Sequence, residues 1–214
     1  MAGSCLFSRR RMLYAAAASA LLAPPAAARA QTATPATLNP ADRGWIERIA
    51  ATLDAITTLK ARFQQIAPDG QISHGTAWLQ RPGRMRFQYD KPSPLLLVAN
   101  GGKLVFNDSQ LKQTTVIPLD KTPLGLLLRP DLRLAGDVTV TGFSHASGIL
   151  QVTLVRTASP GDGSLTLFLG DQPLALRSWS VVDAQGRQTR VDLYDISTGM
   201  ALPQSLFNTD IGQQ

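Results

Sequence analysis

The sequence predicts a mainly β domain: one large, strongly curved antiparallel sheet of about eleven strands, its concave face covered by an N-terminal helix and a mid-chain helical insertion. Three observations predict this. The spacing of apolar residues switches from helical to alternating at Leu59 and stays alternating. The alternating runs are short and are separated by Gly, Pro, Asn and Asp turns, which fold neighbouring strands back antiparallel. The alternation lapses only once, between Thr122 and Pro130.

Residues 1–30 read as a signal peptide. Arg9, Arg10 and Arg11 precede an apolar run from Met12 to Leu22, and Ala28-Arg29-Ala30 is a small-x-small cleavage site. Ser8-Arg9-Arg10-Arg11-Met12-Leu13 also resembles a twin-arginine export signal. The apolar run is roughly half the ~20 residues that a membrane span requires. Cys5 precedes that run, so it is not placed for lipidation, and after residue 30 there is no cysteine for a disulfide, a thiol nucleophile or a thiolate metal site. The segment holds four arginines and no acid, so without it Lys+Arg falls from 21 to 17 against 15 Asp+Glu, and the net charge falls from +6 to +2. The basicity therefore belongs largely to the leader, and a nucleic-acid partner loses its electrostatic basis.

Residues 31–40 are small, polar and Pro-containing, a disordered lead-in to a single domain over 41–214. Trp45, Ile46, Ile49, Leu53 and Ile56 recur at helical spacing, with Pro40 and Asp42 marking the helix start. The β-branched pair Thr57-Thr58 disfavours continuation. Strands are then expected from Leu59 to Gln64, Ile72 to Gln80, Arg84 to Tyr89, Leu95 to Ala99, Lys103 to Asn107 and Lys112 to Ile117. Pro68-Asp69-Gly70, Arg81-Pro82-Gly83 and Asn100-Gly101-Gly102 supply turns between them. In the interruption, Thr122 is placed as N-cap and Pro123 at the first helical position, with Leu124, Leu127 and Leu128 on one face. Strands resume at Val138 to Phe143, Ile149 to Thr157, Leu165 to Leu169, Leu174 to Val182 and Gln188 to Ile196.

Catalytic motifs are present only formally. Gly142-Phe143-Ser144-His145-Ala146 lacks the helix that a nucleophile elbow must open, because Ser147-Gly148 turns into another strand. Ser109-Gln110-Leu111-Lys112 likewise runs into Thr114-Thr115-Val116, a strand. The two histidines, His74 and His145, have neither cysteine partners nor helical pairing, so no metal site is expected. No Gly-rich loop opens a helix in a βαβ unit, so no nucleotide or other cofactor is expected.

Arg81, Met85, Phe87 and Tyr89 share one parity and point to one face if the strand runs through Gly83 without a bulge. On the residues alone, Arg81 reads equally as a surface arginine at a turn, and the apolar positions read equally as ordinary core.

Gly75-Thr76-Ala77-Trp78-Leu79-Gln80-Arg81-Pro82-Gly83, then Met85-Arg86-Phe87-Gln88-Tyr89 and Pro92, resembles the outer-membrane lipoprotein carrier (LolA-like) family. Leu59-Lys60-Ala61-Arg62-Phe63-Gln64-Gln65 looks like that family's first strand, and Thr122-Pro123-Leu124 with the following leucines looks like its lid. The resemblance implies a fold, an incomplete, strongly curved antiparallel β-barrel with a helical lid, and a job, that of a non-enzymatic periplasmic chaperone, a monomer without cofactor. Such a carrier binds lipoprotein acyl chains, receives them from an inner-membrane ABC transporter complex and passes them to an outer-membrane lipoprotein receptor. A related periplasmic lipid-binding or sensor module on the same fold is the alternative. The resemblance assigns Arg81 to a latch whose guanidinium donates to backbone carbonyls of the lid. The acyl-chain cavity is then expected to be lined by Leu59, Phe63, Met85, Phe87 and Tyr89 from the first strands. Leu95 and Leu97 would join from the next strand, with Leu124, Leu127 and Leu128 from the lid.

Overall fold

The computed structural model describes residues 32–210; the expected signal peptide, with its cleavage site and Cys5, lies outside the described residues. Helix α1 (Pro40–Ala55) begins with a full capping box. The Asn39 side chain accepts from the Asp42 amide at 2.9 Å, and the Asp42 carboxylate accepts from the Asn39 amide at 3.1 Å. The lead-in before it has no regular structure, but it is held: the Ala36 amide donates to the Val140 carbonyl at 2.8 Å, and Ala36 and Leu38 lie against the core.

Eleven strands follow: β1 (Thr58–Ile66), β2 (Ile72–Gln80), β3 (Arg84–Tyr89), β4 (Leu95–Asn100), β5 (Lys103–Asp108), β6 (Gln113–Pro118), β7 (Val138–Ala146), β8 (Ile149–Arg156), β9 (Gly163–Asp171), β10 (Leu174–Asp183) and β11 (Gln188–Thr198). They form one antiparallel sheet in the order β6-β5-β4-β3-β2-β1-β11-β10-β9-β8-β7. Consecutive strands pair within β1–β6 and within β7–β11, β6 and β7 stand at opposite ends, and the two runs are joined by the pairing of β1 with β11. The sheet does not close, so β6 and β7 remain as edges. This is the single antiparallel sheet that the alternation predicts, left open as the resemblance implies.

Alternation sets the faces. In β1, Leu59, Ala61 and Phe63 are buried while Lys60 and Arg62 are exposed. In β3, Met85, Phe87 and Tyr89 are buried. Gly75 sits opposite Phe63 across the β1–β2 ladder. A Cβ there would lie 2.2 Å from the Gln88 carbonyl oxygen and 2.6 Å from the Phe63 ring, so only glycine leaves room for that ring.

Two pieces roof the concave face. From α1 come Ile46, Ile49 and Leu53; from the insertion come Leu126, Leu127 and Leu128, all buried in one core with the inward strand residues. Each fully buried leucine or isoleucine contributes about 1.5–3 kcal/mol of apolar transfer. The insertion is a 3₁₀ turn (Leu119–Lys121) followed by the single turn of α2 (Leu124–Leu127). The helix begins at Leu124 with Pro123 as its N-cap, one residue later than the expected Thr122 cap, although Thr122 Oγ1 still accepts from the Gly125 amide at 3.3 Å. Because α2 is one turn long, no helical face persists: Leu126, Leu127 and Leu128 are consecutive and buried, and Leu124 is only half-buried. Gly125 permits the tight fold-back, since a Cβ there would lie 2.3 Å from the Leu119 carbonyl oxygen.

The convex face carries a feature that alternation did not foretell. The 3₁₀ turn Gln204–Phe207 crosses β3 and β4. Phe207 is fully buried, and Val98 and Val105, also buried, lie outside the concave core. Arg86 donates to the Leu206 carbonyl at 3.2 Å and Asn100 to the Phe207 carbonyl at 2.9 Å.

Candidate functional site

The concave face is floored by aromatic rings. Phe63 and Phe87 lie 4.6 Å apart, Phe63 and Tyr89 meet edge to face at 5.3 Å, and Phe87 meets Trp179 edge to face at 6.0 Å. The Tyr89 hydroxyl donates to Gln65 Oε1 at 2.9 Å, and burial pushes its pKa up to about 12.

Between this floor and the insertion is a cleft of ≈ 380 Å³. Phe87, Leu97, Leu104 and Ile117 line one wall, Trp179, Val181 and Val191 the other, and Leu124 of α2 forms part of the roof. Gln65, Lys121, Asp162, Asp183 and Arg187 stand at its polar rim, with Arg187 Nε donating to Asp183 at 2.8 Å. That is an apolar interior with a charged mouth, within the about 300–1,000 Å³ usual for ligand clefts. A larger depression of ≈ 610 Å³ beside α1 takes in Arg177, Tyr194 and Asp195. Its surface is polar and apolar in nearly equal measure, so it suits an acyl chain less well than the mostly apolar cleft under the insertion.

The turn between β2 and β3 holds both parts of the roof. Arg81 Nε and Nη2 donate to the Ile56 carbonyl, the C-cap of α1, at 2.9 and 2.6 Å. Its Nη1 lies 3.7 Å from Asp54 Oδ1, which itself accepts from the Leu132 amide at 2.8 Å. Two residues on, the Gly83 amide donates to the Leu128 carbonyl at 2.8 Å. The Arg81 side chain is 6% exposed, so desolvation lowers its pKa while Asp54 opposes the shift; a guanidinium stays charged all the same. The resemblance pointed to carbonyls of the lid in general. In the structure the arginine binds the end of α1, and the insertion is tied by the glycine amide instead.

Of the expected cavity residues, Phe87, Leu97 and Leu124 line the cleft. Leu59 and Leu127 border a small void of ≈ 10 Å³ beside Arg81. Phe63, Met85, Tyr89 and Leu128 are buried in the core behind it, and Leu95 faces a depression near His74 and Asp90. Sequence reasoning missed Trp179, Val181, Val191, Leu104 and Ile117. A bulge in β10 between Leu176 and Ser178 reverses the parity, so Leu176 and Trp179 both face inward. The adjacent polar pair Arg177-Ser178, between Leu174-x-Leu176 and Trp179-x-Val181, is the signal that marks it. Ser144 lies inside β7 and Ser109 in the β5–β6 turn. His145 Nε2 lies 2.9 Å from Asp171 and its ring meets Trp45 of α1 edge to face at 4.9 Å. Among the described residues no group of three or more His, Cys, Asp or Glu is placed to hold a metal.

Fold and site together define a class: an open, curved sheet roofed by two helical pieces that shelter an apolar cleft. The family model described as outer membrane lipoprotein carrier protein LolA matches residues 54–210. The chain is 32% identical over 169 residues to an outer-membrane lipoprotein carrier protein of Methylococcus capsulatus, covering 75% of this chain and 80% of that one. It is 30% identical over 188 residues to the protein of the same name from Azotobacter vinelandii, covering 83% and 90%. Among solved structures, it is similar to a LolA superfamily protein from Nitrosomonas europaea, with TM-score 0.43 and 11% identity over 77% of this chain and 98% of that one. The chain belongs to the LolA outer membrane lipoprotein carrier family.

Proposed function

We propose that this chain is a periplasmic chaperone, not an enzyme. It takes up the acyl chains of lipoproteins released from the inner membrane and delivers them to an outer-membrane receptor. The carrying observation is the apolar cleft beneath a roof tied down at the Arg81–Gly83 turn. Each CH₂ moved from water into such a cleft contributes about 0.8 kcal/mol, so a multi-chain lipid is strongly held there and costly to leave in water. The resting cleft is at the small end of ligand sites, so admitting more than one chain requires the roof to lift.

Arg81 acts as the latch. Its bonds to the C-cap of α1 hold the roof shut in the empty protein, and acyl chains compete with that closure. The relatives' name supports lipoproteins as cargo, an inner-membrane ABC transporter complex as donor and a monomeric carrier complete the reading, and no described helix is long and apolar enough to cross a membrane. The test is delivery. Protein loaded with a triacylated lipoprotein is mixed with liposomes that bear the outer-membrane receptor, and cargo is expected to move to the liposomes. Retained binding without transfer would assign the chain to a lipid-binding or sensor module instead.

A further inference from the structure

The two edges of the sheet are treated differently. β7 is blunted by the chain's own lead-in through the Ala36 amide on Val140. β6 is bare: all six residues, Gln113-Thr114-Thr115-Val116-Ile117-Pro118, are exposed, and none is charged. Natural sheets normally protect such an edge with charge, a bulge or a covering segment. The Leu119 amide donates to the Gly102 carbonyl, in register with the β5–β6 ladder. In that ladder alternate residues bond inward, so Gln113, Thr115 and Ile117 face β5. The main-chain groups of Thr114 and Val116 face outward, and Pro118, which has no amide hydrogen, falls on the outward side where it costs nothing. Among the described residues no main-chain bond from outside the sheet reaches Thr114 or Val116.

Apolar rows on both faces run out at this edge. On the convex face Val98, Val105 and Val116 are lateral neighbours, buried, buried and 55% exposed in turn. On the concave face Ala99, Leu104 and Ile117 are buried, buried and 39% exposed. Ile117 also lines the cleft, so the edge begins where the cleft wall ends.

We propose that β6 is a strand-addition site for the extended peptide that follows the acylated cysteine of the cargo. The inference rests on the carrier reading, because acyl chains seated in the cleft bring that peptide out beside Ile117. The peptide exchanges main-chain hydrogen bonds with Thr114 and Val116 and extends the two apolar rows. Recognition through backbone is independent of the peptide's sequence, which suits a carrier of many cargoes.

The test compares two probes: a triacylated cysteine methyl ester, and the same acylated cysteine carrying a ten-residue uncharged linker. Hydrogen exchange is read at Thr114 and Val116 alongside affinity. The linker is expected to tighten binding about tenfold and to slow exchange at those two amides, whereas the methyl ester leaves them fast. Val116→Pro removes an outward donor from an edge position that tolerates proline; it is expected to bind the methyl ester as the parent does and to lose most of the linker's gain. Should that variant fail to fold, exchange in the unsubstituted protein decides alone. Equal affinities with unchanged exchange overturn the proposal, and so does protection that rises with protein concentration without ligand, which would make a second copy the occupant. Failure to bind the methyl ester would overturn the carrier reading itself.

Discussion

Arg81→Leu tests the latch. The substitution removes both bonds to the Ile56 carbonyl. Hydrogen bonds to a charged group contribute about 1.5–3 kcal/mol net. The Asp54 contact adds little, being 3.7 Å long to a carboxylate that is 41% exposed. Against this loss, the desolvation that lowers the arginine's pKa is relieved, and leucine gains apolar contact with Leu53, Leu59, Leu79 and Leu127 around the same void. The balance leaves about 1–2 kcal/mol in favour of the closed roof, a roughly 5–30-fold change in the open population. If only the open form accepts acyl chains, apparent affinity for an acyl probe rises by that factor, and hand-on to a receptor becomes harder to the same extent. The assay is titration with a fluorescent acyl probe together with hydrogen exchange of α1. Exchange in α1 is expected to quicken while β8 and β9 remain slow, and the melting temperature to fall by no more than about 2–8 °C. Unchanged affinity together with unchanged α1 exchange would refute the reasoning.

Four further outcomes follow from the geometry. Gly75→Ala drives a methyl into the Gln88 carbonyl and the Phe63 ring, and is expected to cost about 2–3 kcal/mol or more in urea unfolding. Val181→Trp fills the cleft from its wall and is expected to abolish acyl binding with the far-UV spectrum unchanged. Phe207→Ala empties the convex pocket under the C-terminal segment, and is expected to cost about 3–5 kcal/mol without altering acyl affinity. Tyr89 ionises less readily folded than unfolded, because its buried phenol is pushed up to about 12 from the ordinary 10. Its contribution is therefore fully present below pH 10 and is lost as the pH climbs through about 12, and the Tyr89→Phe variant should lack that loss in alkaline denaturation.

The sheet was legible because its physics is local. Turn residues and alternation placed every strand within a few residues, as β2 and β3 show by running Ile72–Gln80 and Arg84–Tyr89 as expected. The position of Arg81 at the β2–β3 turn was legible in the sequence. Which helix end it meets was not, since the contact joins residues 25 positions apart. The second cleft wall was hidden for a related reason: β10 comes beside the concave floor only through the β1–β11 join, and its bulge shifts Trp179 out of the parity of Leu176. Burial of Leu126 followed from the insertion being one turn long, where helical spacing carries no information. The role of Phe207 lay beyond any periodic signal, because a lone aromatic in a short 3₁₀ turn has no pattern to betray the face it covers.

The measurement that bears most directly on the account is mass spectrometry of the purified protein after incubation with spheroplasts of a Gram-negative bacterium. The account predicts a soluble one-to-one complex with a triacylated lipoprotein, absent when the cleft is filled by Val181→Trp. Recovery of the protein empty, or with the filled variant capturing lipoprotein equally well, would contradict it.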